Sequence, residues 1–84
     1  MQMFNTAAFQ HLSLHFSIYP NPATDKIIVT SPQEQNLNIY NSYGIEIINT
    51  ILKDGETQIN ISDLHPGLYY CRAQSGLTRV IVKQ

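Results

Sequence analysis

The sequence has only one cysteine, Cys71, among its 84 residues. An internal disulfide is therefore excluded, and the sequence does not supply the roughly four suitably spaced ligands of a structural zinc site. Charge of either sign is also scarce: five Lys and Arg residues stand against six Asp and Glu residues, for a formal net charge of −1. This balance lacks the basic surface that binds nucleic acid or an anionic membrane.

Long hydrophobic runs are absent too. No apolar stretch approaches the roughly 18 residues of a membrane-spanning helix. Residues 1–14 contain no Lys or Arg and no continuous apolar segment, so they lack the features of a secretory signal. If the natural protein is exported, we expect its signal to lie upstream, which would make this chain a fragment. The length corresponds to one domain at most.

The residue patterns that mark enzyme active sites are also missing. The four glycines all fall in predicted turns, and no carboxylates are paired at a useful spacing. Ser62, Asp63 and His65 lie on one tight corner, where neighbours cannot orient one another as a catalytic triad does. We interpret Asp63 as a turn residue, His65 as solvent-facing, and Cys71 as a small hydrophobe in the core. The sequence therefore predicts neither an enzyme nor a cofactor.

A proline-rich corner between two apolar segments organises the chain at residues 16–29. Pro20 and Pro22 each fix their own φ and disfavour helical geometry at the preceding residue. Asn21, between them, has a side chain that can bond its own backbone in a turn. The corner must therefore end one strand and redirect the chain into the next.

Alternation of apolar and polar residues between turn signals continues to the end of the chain. The predicted strands are residues 16–19, 25–30, 37–41, 45–52, 57–61, 68–74 and 77–83. Residues 45–52 are apolar on both faces in places, which indicates a bulge or a crossing between sheets. The corner at 62–67 is predicted as a single helical turn, with Leu64 in the core. Seven short strands predict an all-β fold, a small Ig-like antiparallel β-sandwich.

Period-two alternation assigns the side chains of the sixth strand. Arg72 has to face solvent, so Tyr70 would lie outside while Tyr69 and Cys71 lie inside. With Tyr40, an outward Tyr70 would offer an aromatic platform for a sugar or a peptide. Aromatic side chains on sheets more often stabilise cross-strand packing.

Residues 1–15 are interpreted as a linker or an appended tail that precedes a domain at 16–84. Apolar residues in the tail recur at helical spacing, but a helix this short would be marginal alone. His11 and His15 would share one face of such a helix. No nearby Cys, Asp or Glu completes a metal site, so we predict none.

Short motifs follow one another along the chain in a recognisable order. They are Tyr19, Pro20, Asn21 and Pro22; residues 27–29; residues 37–41 with Gly44; residues 59–62 with Leu64; residues 66–70; and the basic, apolar end at 79–84. In order, spacing and placement at the end of this chain, they resemble the type A C-terminal sorting domain of the type IX (Por) secretion system, found in Bacteroidetes. The resemblance covers residues 16–84.

This resemblance implies an Ig-like sandwich that serves as an address label for a cargo protein. The cargo would cross the inner membrane by an N-terminal signal, and the folded label would then be recognised in the periplasm by the outer-membrane translocon and its shuttle proteins. A cysteine-protease sortase would remove the label at the cell surface, commonly attaching the cargo to anionic lipopolysaccharide. The chain would then be the substrate of an enzyme, with cleavage within residues 10–15.

By position, the resemblance also implies which residues carry the sorting signal. They are Pro20, Asn21, Pro22, Gly44, Gly67, Tyr69, Val82 and Lys83. The first three match the proline motif of the family, the glycines match its two turn glycines, and Lys83 matches its basic terminus. Cys71 and Ala73 depart from the larger aliphatic residues usual in the family, which puts the packing of the core in question.

The last predicted strand suits the edge of a sheet, because charge at Arg79 and Lys83 discourages unwanted pairing. We expect this edge to dock by adding a strand to a partner sheet. A proline at Val80 or Val82 would then block export. An edge strand also leaves open a weak dimer.

Two other functions are compatible with the sequence. An extracellular adhesion or carbohydrate-binding module of Ig or fibronectin-like type would depend on Tyr40 or Tyr70 and would not need the last three residues. A plain structural spacer would show neither binding nor export.

Overall fold

The structure, a computed structural model, describes residues 16–84 and contains seven β-strands with no helix in that range. The strands are β1 (Ser17–Tyr19), β2 (Lys26–Ser31), β3 (Gln35–Asn41), β4 (Glu46–Leu52), β5 (Gly55–Asn60), β6 (Gly67–Ala73) and β7 (Thr78–Lys83). All seven predicted strands are present, with ends shifted by one or two residues. The predictions for residues 1–15, including those for His11 and His15, concern residues outside the described range.

The strands form two antiparallel sheets, one ordered β1–β2–β5 and the other β4–β3–β6–β7. Consecutive strands change sheet at three places, between β2 and β3, β4 and β5, and β5 and β6. Each sheet has one apolar face, and the two apolar faces enclose a common core. The predicted all-β sandwich is confirmed.

The core follows from alternation along each strand. Its buried hydrophobic side chains are Phe16, Ala23, Ile27, Val29, Leu37, Ile39, Leu52, Ile59, Ile61, Tyr69, Cys71, Ala73 and Ile81. Cys71 and Ala73, which depart from the family pattern, are both fully enclosed, at 0% and 2% exposure. The small side chains therefore sit within a closed core.

The fourth strand contains the predicted bulge. Ile39 pairs with Ile48 and Tyr40 pairs with Glu46, so Ile47 is the extra residue on β4. The bulge shifts the register by one residue at the start of β4. Beyond it the side chains alternate regularly, with Ile51 exposed and Leu52 buried, so β4 has apolar side chains on its outer face as well as in the core.

The corner between β5 and β6 differs from the prediction of a helical turn. The Leu64 amide donates to the Ile61 carbonyl over 3.1 Å, which closes a turn with no helix following it. Leu64 does pack against the core, as predicted. Pro66 follows closely and cannot donate an amide hydrogen to extend a helical ladder.

Candidate functional site

The corner between β1 and β2 binds the outer edge of β7. The Asn21 side-chain nitrogen Nδ2 donates to the Val80 carbonyl over 3.0 Å, and its oxygen Oδ1 accepts from the Val82 amide over 2.9 Å. The primary amide thus pairs with β7 as a peptide group of a neighbouring strand would. Asn21 and Val82 are 61 positions apart in the chain.

Ala23 extends this pairing by one further step. Its amide donates to the Val82 carbonyl and its carbonyl accepts from the Gln84 amide, both over 2.8 Å. Ala23 and Lys83 therefore form a parallel bridge, and the Ala23 side chain is buried at 1% exposure. Together the Asn21 and Ala23 contacts close the edge of β7 from Val80 to Gln84, and we call them the corner–β7 contact.

The proline pair explains why this contact uses a side chain at residue 21. Pro20 and Pro22 have no amide hydrogens, so the corner has few backbone donors. Both bonds that precede these prolines, Tyr19–Pro20 and Asn21–Pro22, are cis. The Asn21 amide supplies the donor and the acceptor that an ordinary strand would have contributed from its backbone.

The corner–β7 contact corrects the expectation that β7 is an open docking edge. The strand does lie at the edge of its sheet, as predicted, but its outer backbone groups already pair with the corner. Charge also contributes less than expected: Lys83 is only 8% exposed and its Nζ donates to the Gln84 carbonyl over 3.1 Å. Arg79 is exposed, and its guanidinium lies over the Phe16 ring, 5.3 Å from the ring centroid.

Two of the predicted residues are glycines that shape turns at this end of the sandwich. Gly44 has a φ of 83° and follows Asn41, whose Oδ1 accepts from the amides of Tyr43 and Ile45. Gly67 has a φ of 148° and begins β6 opposite Lys83. Both values lie in a region that glycine adopts at low cost.

Tyr69 secures the corner that leads into β6. Its ring is buried, as alternation predicted, and its hydroxyl donates to the His65 carbonyl over 2.6 Å. Tyr69 also pairs with Asn41, which starts the turn of Gly44, and with Ile81 on β7.

The predicted site residues therefore gather at one end of the sandwich. Asn21, between Pro20 and Pro22, bonds Val82, the neighbouring Ala23 bridges to Lys83, and Gly67 is paired with Lys83. Gly44 and Tyr69 are joined to the same end through Asn41. Sequence reasoning missed Ala23, and it named Val80 only as part of an open docking edge, not as a partner of Asn21.

The outer face of the four-stranded sheet carries an apolar patch beside this end. Tyr40 pairs with Tyr70, which pairs with Val80, and Leu68 pairs with Val82 in the neighbouring row. Tyr70 faces outward as predicted, and a shallow depression beside it is lined by Tyr40, Gly44, Tyr70, Arg72 and Thr78. We call this surface the outer-face patch.

The chemistry available in the described part of the chain is limited. Cys71 is buried, and loss of water around it raises the pKa of its thiol to about 12, so the thiolate that a nucleophile requires is not formed. The Ser62 hydroxyl donates to Asn60 over 2.7 Å, and His65 is exposed. Residues 16–84 contain no group of three or more His, Cys, Asp or Glu side chains that could hold a metal ion. Nor does that range contain a helix long and apolar enough to cross a membrane.

Comparison with known families adds an independent result. A family model described as the secretion system C-terminal sorting domain matches residues 17–84, which includes every strand of the sandwich. No curated protein and no solved structure matched the chain in the same comparisons.

Proposed function

Because this chain belongs to the family of secretion system C-terminal sorting domains, we propose that it directs an N-terminally attached cargo protein through the type IX secretion system. The label passes through the periplasm, where the translocon and its shuttle proteins recognise it, and the cargo then reaches the cell surface or is released. In this function the domain is a recognition label, and its partners carry out translocation and cleavage.

The corner–β7 contact is the observation that carries the proposed recognition surface. It joins Asn21 of the proline motif to Val82, and the adjacent Ala23 to Lys83, at the other end of the sequence. A surface composed of two distant segments exists only after the domain has folded. A partner that binds this surface would therefore accept the folded label and ignore an unfolded one.

Cleavage by a surface sortase is the last step of the proposed pathway. Phe16, the first residue that the structure describes, is buried at 1% exposure and its ring lies under Arg79, so from this residue onward the backbone is packed into the domain. A protease needs an accessible, extended segment, and packed backbone does not offer one. Hydrolysis within residues 10–15 would separate the cargo from the label without unfolding the sandwich.

An export assay tests this function. A signal peptide and a fluorescent passenger are fused to residues 1–84 and expressed in a bacterium with a working type IX system. We expect surface display of the passenger, and its loss when residues 82–84 are removed, because the Val82 and Gln84 partners of the corner are then absent.

The control for that assay is the folded state of the truncated label, measured by circular dichroism of the purified domain. Periplasmic retention of both fusions with a folded domain would contradict the sorting function. An adhesion module would then be the better account, with the outer-face patch as its binding surface.

A further inference from the structure

The strand β4 is the longest of the four edge strands, and nothing in residues 16–84 pairs with its outer side. The edge of β7 is closed by the corner–β7 contact, and β1 has only three residues. The remaining edge strand, β5, is also unpaired on its outer side, but its exposed side chains are all polar: Glu56, Gln58 and Asn60. In contrast, β4 runs for seven residues with Ile47 at 40% and Ile51 at 53% exposure, and it has no Lys, Arg or Pro.

Such an edge is unusual in an isolated domain. Unpaired backbone groups flanked by apolar side chains readily pair with another strand, and proteins commonly guard them with lysine, proline or a covering loop. The bulge at Ile47 affects only the start of β4, and Ile48–Leu52 continue in regular register with β3. The open edge therefore has the geometry to accept a further strand.

The sequence of β4 is complementary to itself when it is reversed. With Asn49 as the centre of an antiparallel pairing, Ile47 of one copy lies opposite Ile51 of the other, and Ile48 lies opposite Thr50. Glu46 is opposite Leu52 in this register, but it bonds Asn38 on the outer face whereas Leu52 is buried in the core, so the two side chains do not meet and no like charges are brought together. A partner strand of unrelated sequence has no reason to share this symmetry.

We propose that β4 is a self-association surface, where it pairs antiparallel with β4 of a second copy about a two-fold axis at Asn49. The two four-stranded sheets become one continuous sheet, and the exposed Ile47 and Ile51 side chains cover each other across the axis. One added strand pair makes a small interface, so the dimer is weak and reversible. This proposal does not depend on the sorting function, because β4 shares no residue with the corner–β7 contact.

Sedimentation of the full 84-residue chain over a concentration series tests the proposal. The variant Ile51→Lys introduces a charge on the open edge, and Leu68→Lys is its matched control, because Leu68 is similarly exposed, at 48%, on the interior strand β6. We expect a concentration-dependent dimer for the parent chain and for Leu68→Lys, and a dimer at least about tenfold weaker for Ile51→Lys. Circular dichroism confirms that each variant is folded.

A cysteine placed on the axis tests the register. In a Cys71→Ala background, Asn49→Cys should form a disulfide-linked dimer under mild oxidation, since residues directly opposite across a strand pair lie within disulfide range. The control variant Gln58→Cys places a cysteine at an exposed position on β5, and it should not form a disulfide-linked dimer.

Two results would overturn the proposal. The first is a parent chain that stays monomeric up to its solubility limit. The second is a dimer lost in Leu68→Lys but kept in Ile51→Lys, which would assign self-association to the outer-face patch.

Discussion

At the scale of single residues, Asn21 contributes more to this fold than its exposed position suggests. Its amide makes two hydrogen bonds to β7 and so replaces a peptide unit that the flanking prolines cannot supply. A residue selected only to form the turn would have no reason to bond a strand 61 positions away.

Replacing Asn21 should therefore weaken the whole domain. We expect Asn21→Ala to lower the free energy of unfolding by about 1–3 kcal/mol, because two hydrogen bonds are lost and net values are about 1 kcal/mol each. Urea denaturation measures the change. Asn21→Asp retains the acceptor for the Val82 amide but loses the donor to Val80, so it should also be less stable than the parent at neutral pH. An Asn21→Ala variant as stable as the parent would show that the contact has no energetic weight.

The buried thiol of Cys71 makes stability depend on alkaline pH. Burial raises its pKa from 9.0 to about 12, so the unfolded chain releases this proton at a lower pH than the native protein does. The stability that the neutral, buried thiol gives to the native state is fully present below pH 9 and is lost as the pH rises toward 12. Within that window it falls by up to about 1.4 kcal/mol per pH unit.

The measurement compares the parent with Cys71→Ala, in which all other titrating groups are the same. Below pH 9 the difference in unfolding free energy between the two proteins should be constant, and above it the parent should lose stability faster. Parallel pH profiles would mean that the thiol ionises equally in both states. Thiol-specific reagents should likewise label Cys71 only after unfolding.

At the scale of secondary structure, the two faces of β7 should respond very differently to truncation. Ile81 is fully buried, whereas Val80 is 46% exposed on the outer face. We expect Ile81→Ala to cost about 2–5 kcal/mol, as is usual for a buried Ile, and Val80→Ala to cost much less. Chemical denaturation of both variants checks this, and equal losses would contradict the assigned orientation of the strand.

Most elements of the fold were predictable from local sequence. Proline, glycine and asparagine mark the turns, and period-two alternation placed Tyr69 and Cys71 inside and Tyr70 outside. The doubled isoleucines of β4 correctly indicated a bulge. The helical turn after β5 was wrong, because a local pattern cannot distinguish one hydrogen-bonded turn from the start of a helix.

The candidate site was predictable only in part. The residue types of the proline motif stood out, but their partner did not, because a side-chain to backbone contact between residues 21 and 82 leaves no periodic trace. The charge of Lys83 suggested an exposed side chain, but Lys83 is buried. Alternation places it on the same face of β7 as Ile81, and this geometry outweighs the general preference of lysine for solvent.

At the scale of the whole molecule, the four-stranded sheet has one closed edge and one open edge. The corner closes the edge of the larger sheet at β7, and the opposite edge of that sheet, β4, is left uncovered by residues 16–84. The proposed recognition surface and the proposed self-association surface therefore lie on opposite edges of the same sheet. A dimer through β4 would leave the corner–β7 contact of each copy accessible to the secretion machinery.

The most direct test of the central claim separates recognition from stability in the export assay. Asn21→Ala removes the side-chain half of the corner–β7 contact at an expected cost of about 1–3 kcal/mol. Ile27→Val, in the fully buried core, is expected to cost about 0.5–1.5 kcal/mol, a range that overlaps the first, without touching that contact. Both passenger fusions are compared for surface and periplasmic signal, with the stability of each purified domain measured alongside. We predict that Ile27→Val displays its passenger and Asn21→Ala does not. Equal display by the two variants would contradict the claim that the corner–β7 contact carries the sorting signal.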